Sequence, residues 1–141
     1  DETFLFWTEE DSNQFTNGVS GQKFDSSGNR LWGDTGKTIV PLGADAQIFV
    51  ENVQVGTGAL VFWVDEPSFN VATIEATKLD GSGNVVCAEF PVATDPVQPF
   101  GLVAAKAPSG VSALAWSDSR IGNNAIYIQN VNPDCSLGLH N

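Results

Sequence analysis

Residues 60–67 read LVFWVDEP, and two further stretches repeat the pattern: FLFWTEED at 4–11 and LAWSDSR at 114–120. Trp7, Trp63 and Trp116 are 56 and 53 residues apart, and each is followed two positions later by an acid: Glu9, Asp65 and Asp118. A second anchor follows each tryptophan, in QKFDSSGNRLW (22–32), TKLDGSGNVVC (77–87) and QNVNPDCSLG (129–138). Its Asp25, Asp80 and Asn132 are 55 and 52 residues apart, so both anchors drift by the same small step. Two anchors in one register point to three copies of one structural unit.

The middle copy reads as strands. Residues 48–55 (IFVENVQV) and 59–64 (ALVFWV) are rich in β-branched and aromatic residues and are separated by Gly56-Thr57-Gly58, a turn. Residues 71–79 alternate with period two. In the DGSGN that follows, the glycines supply the positive φ of a tight hairpin. The last strand, 85–93, is closed by Pro96 and Pro99, which cannot donate to a central ladder. No stretch sustains a helical period. Four antiparallel strands in one unit match a propeller blade in kind and approximate size.

The expected fold is therefore all-β, built of four-stranded antiparallel blades of a β-propeller. Residues 1–45 read as an incomplete blade (strands 2–4), 46–96 as a complete one, and 97–141 as strands 1–3 with a short end. The tryptophans belong to the core between blades, and the acids two positions on are scaffold anchors that bind backbone amides. About two and a half blades do not close a ring that needs typically four to eight. The expected partners are the remainder of a precursor or other copies of the chain; the alternative is collapse of three sheets into an open stack with pairing-prone edges.

WSDSRIGNNAIYIQNVNPDCSLG (116–138) resembles a repeat pattern W-x-D-x-R-x-G-N-x-x-I-Y-x-Q-N-x-N-x-D-G-S-L-G, and GQKFDSSGNRLWGDTGKTIV (21–40) looks like strand 3, hairpin and strand 4 of another copy. Both are similar to repeats of secreted, propeller-like bacterial proteins, many of them cargo of the type IX secretion route in the Bacteroidetes. The resemblance covers nearly the whole chain. It implies propeller architecture and a secreted or cell-surface location, but says little of function, because propellers host binders, scaffolds and enzymes alike. That family commonly places Gly where this chain has Cys135.

The two cysteines form no C-x-x-C pattern, which argues against zinc and thioredoxin-like chemistry. The chain begins at Asp1, as a processed or trimmed product would, and an even cysteine count then suggests a disulfide and an oxidising compartment. In the repeat register Cys135 aligns with Gly28 and Gly83, while Cys87 aligns with Trp32 on the fourth strand. A bridge from one hairpin to the neighbouring outer strand fits this alignment; two free thiols are the alternative.

Composition excludes several classes of function. Across its 141 residues the chain has 17 acids against 6 bases, a formal net charge of −11, which disfavours nucleic acid. The charge is −5 over 1–45, −6 over 46–95 and zero over 96–141. No apolar run approaches the ~18 residues of a membrane span. The lone histidine, His140, is a poor basis for a triad or a multi-His metal site. No calcium-loop pattern appears, so neither metal nor cofactor is assigned.

Three loops between strands 2 and 3 share one end of the expected blades: EEDSNQFTN (9–17), DEPSFN (65–70) and DSRIGNN (118–124). Carboxylates and amides beside an exposed apolar residue suit sugar hydroxyls and ring faces. Phe15, Phe69, Asn70, Arg120 and Asn123 are the candidate ligand contacts, because residues that do not repeat are freer of scaffold duty. No catalytic residue is assigned. Two carboxylates suffice for glycosidase chemistry, and seventeen acids meet that demand too easily to discriminate. Arg30 and Arg120 fall short of a sialidase's three arginines, its Asp-box spacing is unmatched, and the serines lack a base. The expectation is a non-enzymatic, secreted or cell-surface binding or scaffold module for a glycan or protein. The alternative is part of an extracellular hydrolase whose catalytic residues lie mainly on other blades.

Overall fold

Ten antiparallel strands fall into three sheets in the computed structural model, which describes residues 2–138. His140 lies outside the described residues. The first sheet joins β1 (Thr3–Glu10), β2 (Asn17–Phe24) and β3 (Lys37–Gly43) in that order. The middle sheet runs β4 (Ala46–Val55), β5 (Gly58–Ser68), β6 (Val71–Leu79) and β7 (Val85–Ala93). The last is ordered β10-β9-β8, from β8 (Phe100–Lys106), β9 (Ser112–Asp118) and β10 (Ala125–Val131). Among the described residues there is no helix, and so none long and apolar enough to cross a membrane.

β5 is apolar without alternation because both its faces are covered. Ala59, Val61 and Trp63 point one way, against Phe4, Phe6, Val19 and Trp32 of the first sheet. Leu60, Phe62 and Val64 point the other way, against Leu102, Leu114 and Trp116 of the last. A strand's side chains alternate between faces, so an unbroken apolar run fits only a sheet filled on both sides. Each fully buried Val, Leu or Phe contributes roughly 1.5–3 kcal/mol, which makes this strand the centre of the structure.

The second anchor builds the same hairpin three times. Asp25 Oδ1 accepts the amides of Ser27 and Asn29 at 2.9 and 2.8 Å, and Asn29 Nδ2 donates to Oδ2 at 2.8 Å. Asp80 repeats this with Ser82 and Asn84. Asn132 and Ser136 keep the same backbone pair and join their side chains at 3.1 Å. The Asn29 and Asn84 bonds hold the carboxyls of Asp25 and Asp80 below their ordinary range.

Trp32 departs from the expected fourth strand. The bridge Phe24↔Arg30 closes its hairpin, but β3 begins only at Lys37. Between them the Gln22 side chain replaces the ladder: Oε1 accepts the Trp32 amide at 3.0 Å, and Nε2 donates to the Gly33 carbonyl at 2.8 Å. Trp32 packs onto Phe4 and Phe6, with ring centroids 5.6 and 6.0 Å away.

The two junctions between sheets use equivalent residues. Lys23 Nζ donates to the Gly81 carbonyl at 3.1 Å, and Lys78 Nζ to the Pro133 carbonyl at 2.5 Å. Each lysine stands two before its hairpin's first residue, and each carbonyl one after the next hairpin's. Trp32 lies against Gly83, whose Cβ would come within 3.1 Å of the indole. One sheet along, Cys87 and Cys135 hold those two positions and are joined by a disulfide. The hairpin end of the stack is thus bolted twice at each junction. The loops β1–β2, β5–β6, β7–β8 and β9–β10 sit at the other end.

Candidate functional site

At the loop end, Ser119 ties the β9–β10 loop to the β7–β8 loop: its amide and hydroxyl both donate to the Val97 carbonyl, at 2.9 and 3.2 Å. Just before it, fully buried Asp118 accepts Trp116 Nε1 at 2.8 Å, the Arg120 amide at 3.0 Å and Arg120 Nη2 at 2.6 Å. Burial pushes the Asp118 carboxyl up, but the Arg120 and Trp116 hydrogen bonds outweigh it and hold the group below its ordinary range.

Pinned in this way, the Arg120 guanidinium lies 4.1 Å from the centre of the Tyr127 ring. Tyr127 is paired across the sheet with Trp116, and their rings stack at 6.0 Å and 22°. A cation spread over an aromatic face is attracted by the ring's quadrupole. Indole, phenol and guanidinium together line a groove of about 500 Å³ between the outer strands of the middle and last sheets. Asp95, Thr94 and Gln129 add polar groups, and Pro91, Val92 and Leu137 an apolar floor. Thr94 and Asp95 also line a second depression with Asn70, Val71 and Val97, so the groove continues toward the β5–β6 loop.

Three exposed tips stand at the same loop end. Phe15, Phe69 and Ile121 are 78%, 80% and 69% exposed, one on each sheet's loop. Phe15 is held there, since Asp11 Oδ1 accepts its amide and that of Thr16 at 2.8 and 3.2 Å. Those bonds, that of Phe15 foremost, hold the Asp11 carboxyl below its usual range.

Of the five candidate contacts, Arg120 and Asn70 converge on the Thr94–Asp95 stretch. Phe69 is exposed beside Asn70, Asn123 is exposed in the β9–β10 loop, and Phe15 stands apart on the first sheet. Arg120 proves to be held by Asp118 rather than free for a ligand alone. Trp63 and Trp116 are buried between sheets, whereas Trp7 is half-buried on the open outer face of the first. Asp65 accepts from the Gln47 side-chain amide, and Glu9 is half-buried near the end of β1. Asp95, Tyr127 and Gln129 escaped sequence reading. The one available signal was the single tyrosine, placed in an alternating strand after the Trp116 motif.

The middle sheet carries a second polar group, on the face toward the first sheet. Glu75 is pushed up to about 7, by burial first and then by the charges of Glu89 and Asp65; burial and Asp65 also raise Glu89. Among the described residues no three His, Cys, Asp or Glu are placed to hold a metal ion. No protein-family model matches this chain, and none of the curated proteins matches it.

Proposed function

We propose that the chain is a segment of a secreted or cell-surface β-propeller, of the kind its repeats resemble, and that its loop end binds a glycan. The three sheets are read as successive blades. That reading is supported by the recurring junction and by the way the sheets meet: β4 lies beside β8 and β1, as the inner strands of a propeller converge on its axis. A disulfide is compatible with an extracellular setting.

The observation that carries the glycan reading is the wall formed by the exposed Arg120 guanidinium on Tyr127, backed by the buried Trp116 indole, in one groove with Asp95 and Gln129. A sugar offers an apolar ring face and a rim of hydroxyls; the wall suits the face and the two polar side chains suit the rim. Asp118 already neutralises Arg120, so a neutral, hydroxyl-rich ligand fits better than an anion that would have to compete for the cation.

Binding of the folded protein to a glycan array tests this. Asp95→Ala with Gln129→Ala should weaken the strongest signal by roughly tenfold or more, and Phe69→Ser should weaken it further. No glycan signal from the parent, or one that ignores all three substitutions, contradicts the proposal. Turnover of a polysaccharide would favour the hydrolase reading instead.

A further inference from the structure

At three apolar positions the outer face of the first sheet repeats the faces that are covered elsewhere. Leu5, Trp7 and Phe24 share that face by strand register. Their counterparts on the middle sheet are Val61, Trp63 and Leu79, all buried against the first sheet. On the last sheet they are Leu114, Trp116 and Val131, all buried against the middle one. The apolar pattern is the same at these positions and the covering differs: Leu5 is 53% exposed and Trp7 and Phe24 are half-buried, whereas Val61 and Leu114 are 0% exposed. Between the three on the first sheet, Ser20 and Gln22 are already buried.

The opposite face of the stack carries the other half of the same junction. The faces that cover a following sheet present cross-strand pairs of one large and one small residue. In the first sheet the pair is Phe6↔Gly21, where a Cβ on Gly21 would come within 2.3 Å of the phenyl ring, and in the middle sheet it is Phe62↔Ala76. On the outer face of the last sheet the pair is Ala115↔Ile128, with the bulk moved to the other strand. Ile126 and Ile128 are both largely exposed there. At the hairpin end Gly28 holds the place of Gly83 and Cys135, and nothing lies within 4 Å of where its Cβ would be.

We propose that the outer face of the last sheet docks on the outer face of the first sheet in a second copy of this chain, head to tail, through the junction that already joins the sheets within one copy. The proposal rests on the reading of the sheets as successive blades. It is a heterologous contact, which closes into a ring if the rotation per copy permits and otherwise grows as a filament. Asn130 stands where Lys23 and Lys78 stand in the earlier sheets, and its amide donates to the Gly138 carbonyl instead. The contact between copies therefore depends on apolar burial without the lysine bond, and is weaker than the junctions inside one chain. With a net charge of −11 per copy, it strengthens as salt screens repulsion.

Sedimentation equilibrium of the oxidised protein at about 0.15 M salt tests this with two variants at exposed positions, Leu5→Lys and Ile128→Lys. The parent should exceed its 15.0 kDa chain mass increasingly with concentration. Each variant alone should remain monomeric, one with its head face blocked and the other its tail face. Mixed one to one, the two should form a dimer that grows no further, because one intact head and one intact tail remain. A parent that stays monomeric would assign the face to some other sheet and overturn the proposal. So would variants that assemble like the parent, or a mixture that stays monomeric. Glycan binding is read separately at the loop end, so its loss to the Asp95 and Gln129 substitutions, or its absence, tells on the proposed function and leaves this result standing.

Discussion

Cys135 holds the backbone position that Gly83 holds one sheet earlier: each is the fourth residue of its hairpin, and their φ angles are 69° and 79°. A left-handed backbone costs a residue with a Cβ roughly 1–2 kcal/mol relative to glycine. The bond to Cys87 makes up that cost by closing a loop of 48 residues. Reduction, or Cys87→Ser with Cys135→Ser, should lower stability in urea by about 3–4 kcal/mol.

The two lysine contacts differ in environment and so in worth. Lys23 is buried, pairs with Glu2 at 2.8 Å and lies 5.4 Å from the Phe4 ring, besides reaching Gly81. Lys78 has an exposed bond to Pro133. Lys23→Met should cost about 1–2 kcal/mol, and Lys78→Met less than about 1 kcal/mol. Equal losses in chemical denaturation would contradict the burial argument.

Asp118 orders the aromatic wall from beneath. Asp118→Ala leaves Arg120 without its partner and should cost about 2 kcal/mol or more, along with most glycan binding. Because the carboxyl is held low in the fold, its stabilisation is present above its ordinary value of 3.8 and is lost as pH falls through the lower folded value. Parent and Asp118→Asn should therefore converge in stability toward acid, as seen in melts from pH 6 downward.

Glu75 works in the opposite sense. Its folded pKa is raised from 4.5 to about 7, so the fold binds the proton more tightly than the unfolded chain does. Stability from this group should fall as pH rises from about 4.5 to about 7. Glu75→Gln should remove that slope and raise stability above pH 7 by about 1 kcal/mol, a modest figure because the group remains half open to water. A variant no more stable than the parent at pH 8 would count against the clustered charges.

Strand identity was legible because Trp63 sits in a β-branched, aromatic run and the other tryptophans keep its register, and a bridge from Cys87 to Cys135 was open to the sequence because both anchors keep one register. The excursion at Trp32 was not, since it turns on the Gln22 side chain replacing a backbone ladder, which no local period encodes. The groove escaped for a related reason. Asp95 and Tyr127 are thirty-two residues apart and meet only because the last sheet stacks on the middle one. Glu75 reads as the polar half of an alternating strand; its shift arises first from burial and then from Glu89 and Asp65 on the neighbouring strands. Sequence period places side chains on faces, and stacking decides which faces become sites.

That the sheets are one unit joined by one recurring junction is tested most directly by moving one junction's residues into the other. The variant Cys87→Trp with Cys135→Gly places the Trp32–Gly83 pair between the middle and last sheets. Its urea denaturation should be unaffected by reductant and should recover at least half of the stability lost in the double serine variant. Stability no better than that of the double serine variant would contradict the equivalence of the two junctions.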